Sequence, residues 1–352
     1  MRSVTRNLRT VLTVAVAVSM PTALGGRAMA VPSVAASAAQ ASMTDRAKVV
    51  GTYSLVTTEV KDAATGKWSQ TPNFNSIGYI TYSDTGHMGV HIMPKIRAKF
   101  ASNMPTGEEA RAALQGYTAY FGSFTVDEKG KFVVHHRVGQ INPGGEVDAK
   151  RFYDFVPDPR DPKGGNERLI LTPAPVGGGG KDNATNRLIW ERMPTPTLSA
   201  EAKKFPGFYK LLYTDSYRMK DGKEVFHGDK VYARAGTSYI IYTPSGHMMV
   251  HLMDKEGRTK YAAAQPTPDE ALKAYRSYGG YFGRFVPYEN QMPQFVIHSQ
   301  QGTTNPGGYS DQKRFYQFTG NVLRLGGPPS LNAAGELAGG HLYWERLTAG
   351  QK

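Results

Sequence analysis

Seven side chains with usable chemistry recur in the same order along the chain, 154 to 163 residues apart. The first set is His91, Tyr120, His135, Arg151, Tyr153, Trp190 and Arg192. The second is His251, Tyr281, His298, Arg314, Tyr316, Trp344 and Arg346. A histidine near its ordinary pKa beside a tyrosine can orient a polar ligand group or pass a proton. An arginine can hold a carboxylate through two parallel hydrogen bonds. Each has a plainer alternative: a histidine satisfied by tyrosine or backbone inside a core, or an arginine stacked on tryptophan and paired with glutamate at a barrel end. Repetition does not separate the two readings, because a duplicated scaffold residue recurs just as a site residue does. A shared metal is disfavoured. His87 and His91 (His247 and His251) lie four apart, which on a strand is about 13 Å, against a Zn–N bond of about 2.1 Å. His87 follows a turn glycine and is expected at a rim. No catalytic residue and no cofactor is assigned.

The frame that must hold these residues is itself duplicated. Tyr79-Ile-Thr-Tyr-Ser-Asp-Thr-Gly-His-Met-Gly-Val-His-Ile-Met93 returns as Tyr239-Ile-Ile-Tyr-Thr-Pro-Ser-Gly-His-Met-Met-Val-His-Leu-Met253, with nine of fifteen positions identical. Two apolar runs around a turn ending in Gly86 or Gly246 read as a β-hairpin. Thr106-Gly-Glu-Glu109 and Thr267-Pro-Asp-Glu270 are capping boxes. Each opens one amphipathic helix, expected to lie against its own barrel. Tyr-Phe-Gly (120–122, 281–283), Asn-Pro-Gly-Gly (142–145, 305–308), Arg-Phe-Tyr (151–153, 314–316) and Trp-Glu-Arg (190–192, 344–346) follow in both copies. Seven or eight short strands per copy, punctuated by turn residues, predict an all-β protein: two tandem antiparallel barrels, each with one short helix insert. An eight-stranded barrel leaves room for packed side chains or one small ligand. Inward-facing His91 and His135 are then expected to meet Tyr120 and Tyr153 across the lumen, and correspondingly in the second copy. Met88, Met93, Met248, Met249 and Met253 read as barrel core or an adaptable pocket lining.

The ordered set Gly-Tyr-x-x-Tyr, turn, Gly-His-Met-x-Val-x-x-Met, helix, Tyr-Phe-Gly, His, Arg-x-Tyr and closing Trp-Glu-Arg resembles the lipocalin-like domain family. The resemblance covers both copies and implies small barrels of lipocalin or allene-oxide-cyclase type, each with a pocket; it implies no particular reaction. A tandem pair behind an export signal departs from the usual single domain.

Composition bounds the rest. With 352 residues, 40% hydrophobic and rich in Tyr (20) and Phe (15), the chain can bury two ordinary cores. Arg2, Arg6 and Arg9, a short apolar run and Ala28-Met-Ala30 read as a signal peptide over residues 1–30, cleaved after Ala30, which predicts a secreted or periplasmic protein. Pro21 and Gly25-Gly26 cut the apolar run too short for a membrane span. Residues 31–46 are expected as a flexible lead-in, 47–194 and 204–348 as the barrels, and 195–203 as the linker. Zero cysteines exclude disulfides and thiolate chemistry. The net charge is +13, and four of these charges fall in the first thirty residues. The remaining cations are scattered, so a generally cationic surface is expected and nucleic-acid binding is not. No P-loop, G-x-S-x-G, G-x-G-x-x-G or H-E-x-x-H motif is present. The expected partner is a small apolar or weakly acidic ligand in each barrel. Two alternatives stand beside it: a cofactor-free cyclase or isomerase using His and Tyr as acid–base groups, and an envelope interaction module with filled barrels. Oligomeric state is not legible.

Overall fold

The computed structural model describes residues 43–144, 147–161 and 167–351; the expected signal peptide lies outside them. A short helix α1 (Asp45–Val49) precedes β1 (Gly51–Lys61), β2 (Trp68–Gln70), β3 (Ser76–Tyr82) and β4 (His87–Pro94). After α2 (Gly107–Leu114) come β5 (Thr118–Asp127), β6 (Phe132–Gln140), β7 (Ala149–Pro157), β8 (Glu167–Pro173) and β9 (Asn186–Arg192). The second copy repeats the plan with β10 (Gly207–Lys220), β11 (Lys223–Phe226), β12 (Tyr239–Tyr242) and β13 (His247–Met253). Then follow α3 (Pro268–Arg276), β14 (Tyr278–Tyr288), β15 (Phe295–Thr303), β16 (Asp311–Thr319), β17 (Val322–Gly326), β18 (Ser330–Leu331) and β19 (Leu337–Arg346).

Neighbouring strands pair antiparallel, and each sheet closes on itself through β1–β9 or β10–β19, giving two eight-stranded barrels with β2, β11 and β18 as short additions. Closure leaves those barrel strands no free edge. The hairpin forms as read: Tyr82 pairs with Met88 and Tyr242 with Met248, around turns whose Gly86 and Gly246 take positive φ (88° and 78°). Both capping boxes are present, Thr106 with Glu109 and Thr267 with Glu270.

Three apolar clusters hold the molecule. Tyr53, Tyr82, Phe124, Tyr153 and Trp190 fill much of the first lumen, and Phe205, Tyr209, Tyr242, Phe285 and Trp344 the second. The third lies between the barrels and joins Tyr79, Phe121, Tyr239 and Phe282 to both helices. There the expectation for the helices is corrected. Ala110 and Leu114 of α2 and Ala271 and Ala274 of α3 share this one cluster, so the helices meet each other rather than each covering only its own barrel. Amphipathicity shows that a face is buried, not what buries it. The junction is reciprocal. Arg97 donates to the Thr303 and Thr304 carbonyls of the second barrel (2.7 and 2.9 Å), and Arg258 donates to those of Gln140 and Ile141 in the first (2.6 and 2.9 Å). Among the described residues no helix is long and apolar enough to cross a membrane.

Candidate functional site

Inside each barrel a histidine is held between two tyrosines. His135 on β6 has the Tyr82 hydroxyl at 2.8 Å from Nε2 and the Tyr120 hydroxyl at 2.9 Å from Nδ1. His298 on β15 repeats this with Tyr242 and Tyr281, both at 2.8 Å. The period-2 alternation of strands aims all six residues inward. Neither imidazole has solvent access to speak of (0% and 1% exposed). Burial, reinforced by the Arg151 and Arg137 charges, pushes the His135 pKa well below its ordinary value. Burial and Arg314 push that of His298 down to about 3. Both rings are therefore neutral at physiological pH, with one N–H and one lone pair each. Burial also raises the pKa of all four phenols.

Beside this array the first barrel contains a cavity of about 170 Å³, walled by aliphatic side chains including Ile80, Val90, Leu171 and Leu188. Its polar lining consists of Thr118, Tyr120, His135, Arg151 and Trp190. Arg151 reaches the Tyr120 hydroxyl, as Arg314 reaches that of Tyr281. Trp190 is 1% exposed, yet its indole N–H has no hydrogen-bond partner among the described residues, and Trp344 in the second barrel is in the same state. A buried orphan donor is uncommon, and its recurrence in both copies asks for a reason.

Of the sequence-derived candidates, the lumen brings together Tyr120, His135, Arg151 and Trp190, and by position Tyr281, His298, Arg314 and Trp344. Four expectations are corrected. His91 and His251 do not face the lumens. On β4 and β13, Met88, Val90, Met248 and Val250 take the inward positions, which sends the histidines to the opposite face. They stack on one another between the barrels, centroids 4.3 Å apart and planes at 18°. His91 Nδ1 meets the Tyr117 hydroxyl at 3.1 Å and Nε2 the Val250 carbonyl at 3.2 Å; His251 Nδ1 meets Tyr278 at 2.6 Å. Because both faces of these strands are buried, apolar alternation carries no sign of which is inside. Tyr153 and Tyr316 line the lumens but do not meet the histidines. Their hydroxyls donate to Asp45 (2.8 Å) and Glu201 (3.1 Å), on the segments that plug each barrel with Val49 or Phe205. Arg192 and Arg346 do not stack on Trp190 and Trp344. They lie over Tyr53 and Tyr209, at 4.8 and 5.0 Å, and donate to the Lys48 and Lys204 carbonyls, tying the plugs to the closing strands. His87 is not at an open rim: it is buried, stacked on Phe208 and bonded to the Gln351 carbonyl at 2.7 Å. The methionines divide, Met88 and Met248 facing the lumens while Met93, Met249 and Met253 lie between the barrels.

Sequence reasoning missed Tyr82 and Tyr242, the second phenol on each histidine. Their signal was available: both occupy the last position of the duplicated Tyr-Ile-x-Tyr, two residues from the inward-facing Ile80 or Ile240.

A search of curated proteins finds no match. Among solved structures, a protein of unknown function from the DUF3598 family of Nostoc punctiforme aligns over 85% of this chain and 96% of its own, at 9% identity and a TM-score of 0.19. The family model described as "Lipocalin-like domain" matches residues 50–193 and again 207–347, nearly coincident with the two closed barrels. The chain therefore belongs to the lipocalin-like domain family and carries two of its domains in tandem.

Proposed function

We propose that each barrel is a binding compartment for one small, largely apolar molecule, oriented by the tyrosine–histidine array. The observation that carries this reading is the 170 Å³ space in the first barrel, with aliphatic walls and a few converging polar groups. A cavity of about 150 Å³ admits benzene, so this one has room for a body of roughly six to eight carbon atoms. Export through the basic, apolar N-terminal stretch would put the compartment in the periplasm or the medium, where a cationic surface faces an anionic envelope.

A cofactor-free cyclase or isomerase is the rival, favoured by the unbroken tyrosine–imidazole–tyrosine chain, along which a proton can pass by tautomer exchange. The deep burial that holds the imidazole neutral favours binding over acid–base work. Native mass spectrometry of the protein from its own culture medium tests the reading. One or two retained small molecules per chain are expected. An empty protein that also takes up no small apolar probe would support filled barrels and the interaction-module alternative. His135→Ala is expected to weaken uptake of such a probe; loss of turnover of the extracted compound in the same variant would favour the rival.

A further inference from the structure

Three groups in each lumen share a fixed number of protons. Tyr82, neutral His135 and Tyr120 carry one polar hydrogen each, three in all, and two hydrogen bonds join them. One hydrogen is left over, on one of the two phenols. On Tyr82 it would be stranded, because that residue is 1% exposed and its hydroxyl has no other partner among the described residues. On Tyr120 it can point into the cavity, which that residue lines. An unmade buried donor is the costlier choice. Tyr82 therefore donates to Nε2, Nδ1–H donates to Tyr120, and the Tyr120 O–H turns to the cavity. The same count applies to Tyr242, His298 and Tyr281.

The cavity thus receives a phenol O–H from Tyr120 and the guanidinium of Arg151, and Trp190, whose indole N–H has no partner, forms part of its wall. Arg151 and Arg314 have no ion-pair partner among the described residues; their bonds run to neutral groups such as the Lys150 and Lys313 carbonyls. Among the described residues no Asp, Glu, Asn or Gln lines the cavity, and Thr118 supplies the one side-chain hydroxyl besides Tyr120. Donors and a positive charge therefore stand in surplus against almost no acceptor. From this imbalance, and resting on the compartment reading above, we infer that the occupant carries an anionic, acceptor-only head, a small carboxylate in its simplest form, on a compact apolar body.

Three probes of one size test this on the full chain: benzoate, benzyl alcohol and toluene, followed by the indole N–H signals in nuclear magnetic resonance. Only Trp68, Trp190 and Trp344 contribute such signals. Benzoate is expected to bind at least tenfold more tightly than either neutral probe and to shift the Trp190 and Trp344 signals while leaving Trp68 in place. Arg151→Met with Arg314→Met is expected to lower benzoate affinity at least tenfold and leave toluene unchanged. The comparison of probes on the unaltered chain decides even if that variant folds poorly. Toluene binding as tightly as benzoate overturns the anionic head and leaves the compartment standing. Failure of all three to bind overturns both.

Discussion

Lowering the pH from 7 to 5 is expected to remove most of the folding free energy by protonating, on unfolding, histidines that the fold buries neutral. Four histidines, His91, His135, His251 and His298, are at most 1% exposed. Burial is the first cause of a depressed pKa in each, down to about 3 for His91 and His298. A depressed histidine pKa means that the folded state refuses a proton that the unfolded chain takes up near pH 6.5. Its contribution is complete above 6.5 and is lost progressively as pH falls toward the folded value. Once the working pH lies well above the folded pKa, the loss depends on the unfolded pKa alone: about 2 kcal/mol per histidine at pH 5, so about 8 kcal/mol for four. That matches the whole stability of many domains, about 5–15 kcal/mol. Asp45, Glu109, Asp158 and Glu270 all have lowered pKa values and hold their charge throughout this window. Urea denaturation followed by far-ultraviolet circular dichroism at pH 8, 7, 6 and 5 is the assay. A plateau above 7 and a fall of about 5 kcal/mol between 6 and 5 are expected. His91→Phe, which keeps a ring between His251 and Phe282, should reduce that slope by about a fifth, since His247, pushed down to about 4 by burial and Arg284, adds to it as well. Stability constant to within about 1 kcal/mol from pH 7 to 5 would refute the buried-neutral assignment.

Other expectations follow from single contacts. Arg97→Met strips hydrogen bonds from three carbonyls, those of Ala113, Thr303 and Thr304, and should cost about 2–4 kcal/mol in urea denaturation. Arg111→Met, which removes only an exposed pair with Glu108, should cost under about 0.5 kcal/mol. Tyr153→Phe should lower stability by about 1 kcal/mol through the Asp45 bond, with uptake of a small apolar probe unchanged because this phenol does not reach His135. Thr267→Ala removes the cap of α3 and should cost about 1 kcal/mol by the same assay.

Much of the fold was legible because the signals were local and came twice. Turn glycines, capping boxes and alternating runs are each weak, but a second copy with the same order removes most accidental readings. The tyrosine–histidine contact was half legible: Tyr120 and His135 were paired correctly, while Tyr153 was preferred to Tyr82. The choice depends on which residues lie level across a closed barrel, and that is set by strand stagger, which the sequence does not spell out. His91 misled for a different reason. A strand buried on both faces loses the polar–apolar contrast that marks inside from outside. The second burying surface is the other barrel, and a chain read one copy at a time gives no hint of it. Arg192 and Arg346 read as stacked on tryptophan or as ligand anchors because their partners, the Tyr53 and Tyr209 phenols and the backbone carbonyls of the plug segments, are remote in sequence and the carbonyls have no signature at all.

The junction between the barrels has also diverged from strict symmetry, and one glycine shows how. Gly280 and Ala119 occupy equivalent positions, opposite His251 and His91 on neighbouring strands. A Cβ at Gly280 would stand 2.8 Å from His91 Cε1 and 2.9 Å from the Val250 oxygen, inside any normal contact. The missing methyl is what lets His91 approach that carbonyl and donate to it. At the mirrored place Ala119 keeps its methyl, and His251 Nε2 is buried without a partner among the described residues. Gly280→Ala should therefore push His91 off Val250, combining overpacking with a lost hydrogen bond at about 1–3 kcal/mol. Ala119→Gly should be nearly neutral, since a strand glycine costs about 0.5–1 kcal/mol and a new bond from His251 returns a similar amount. Urea denaturation of the two variants at pH 7.5, above the range in which unfolding protonates the buried His91 and His251, isolates the packing effect from their titration. Equal destabilisation by the two substitutions would mean that the junction is symmetric in energy and that His91 owes nothing to the space at Gly280. A large loss for Gly280→Ala alone would mean that the two copies, once interchangeable, have become complementary parts of one interface.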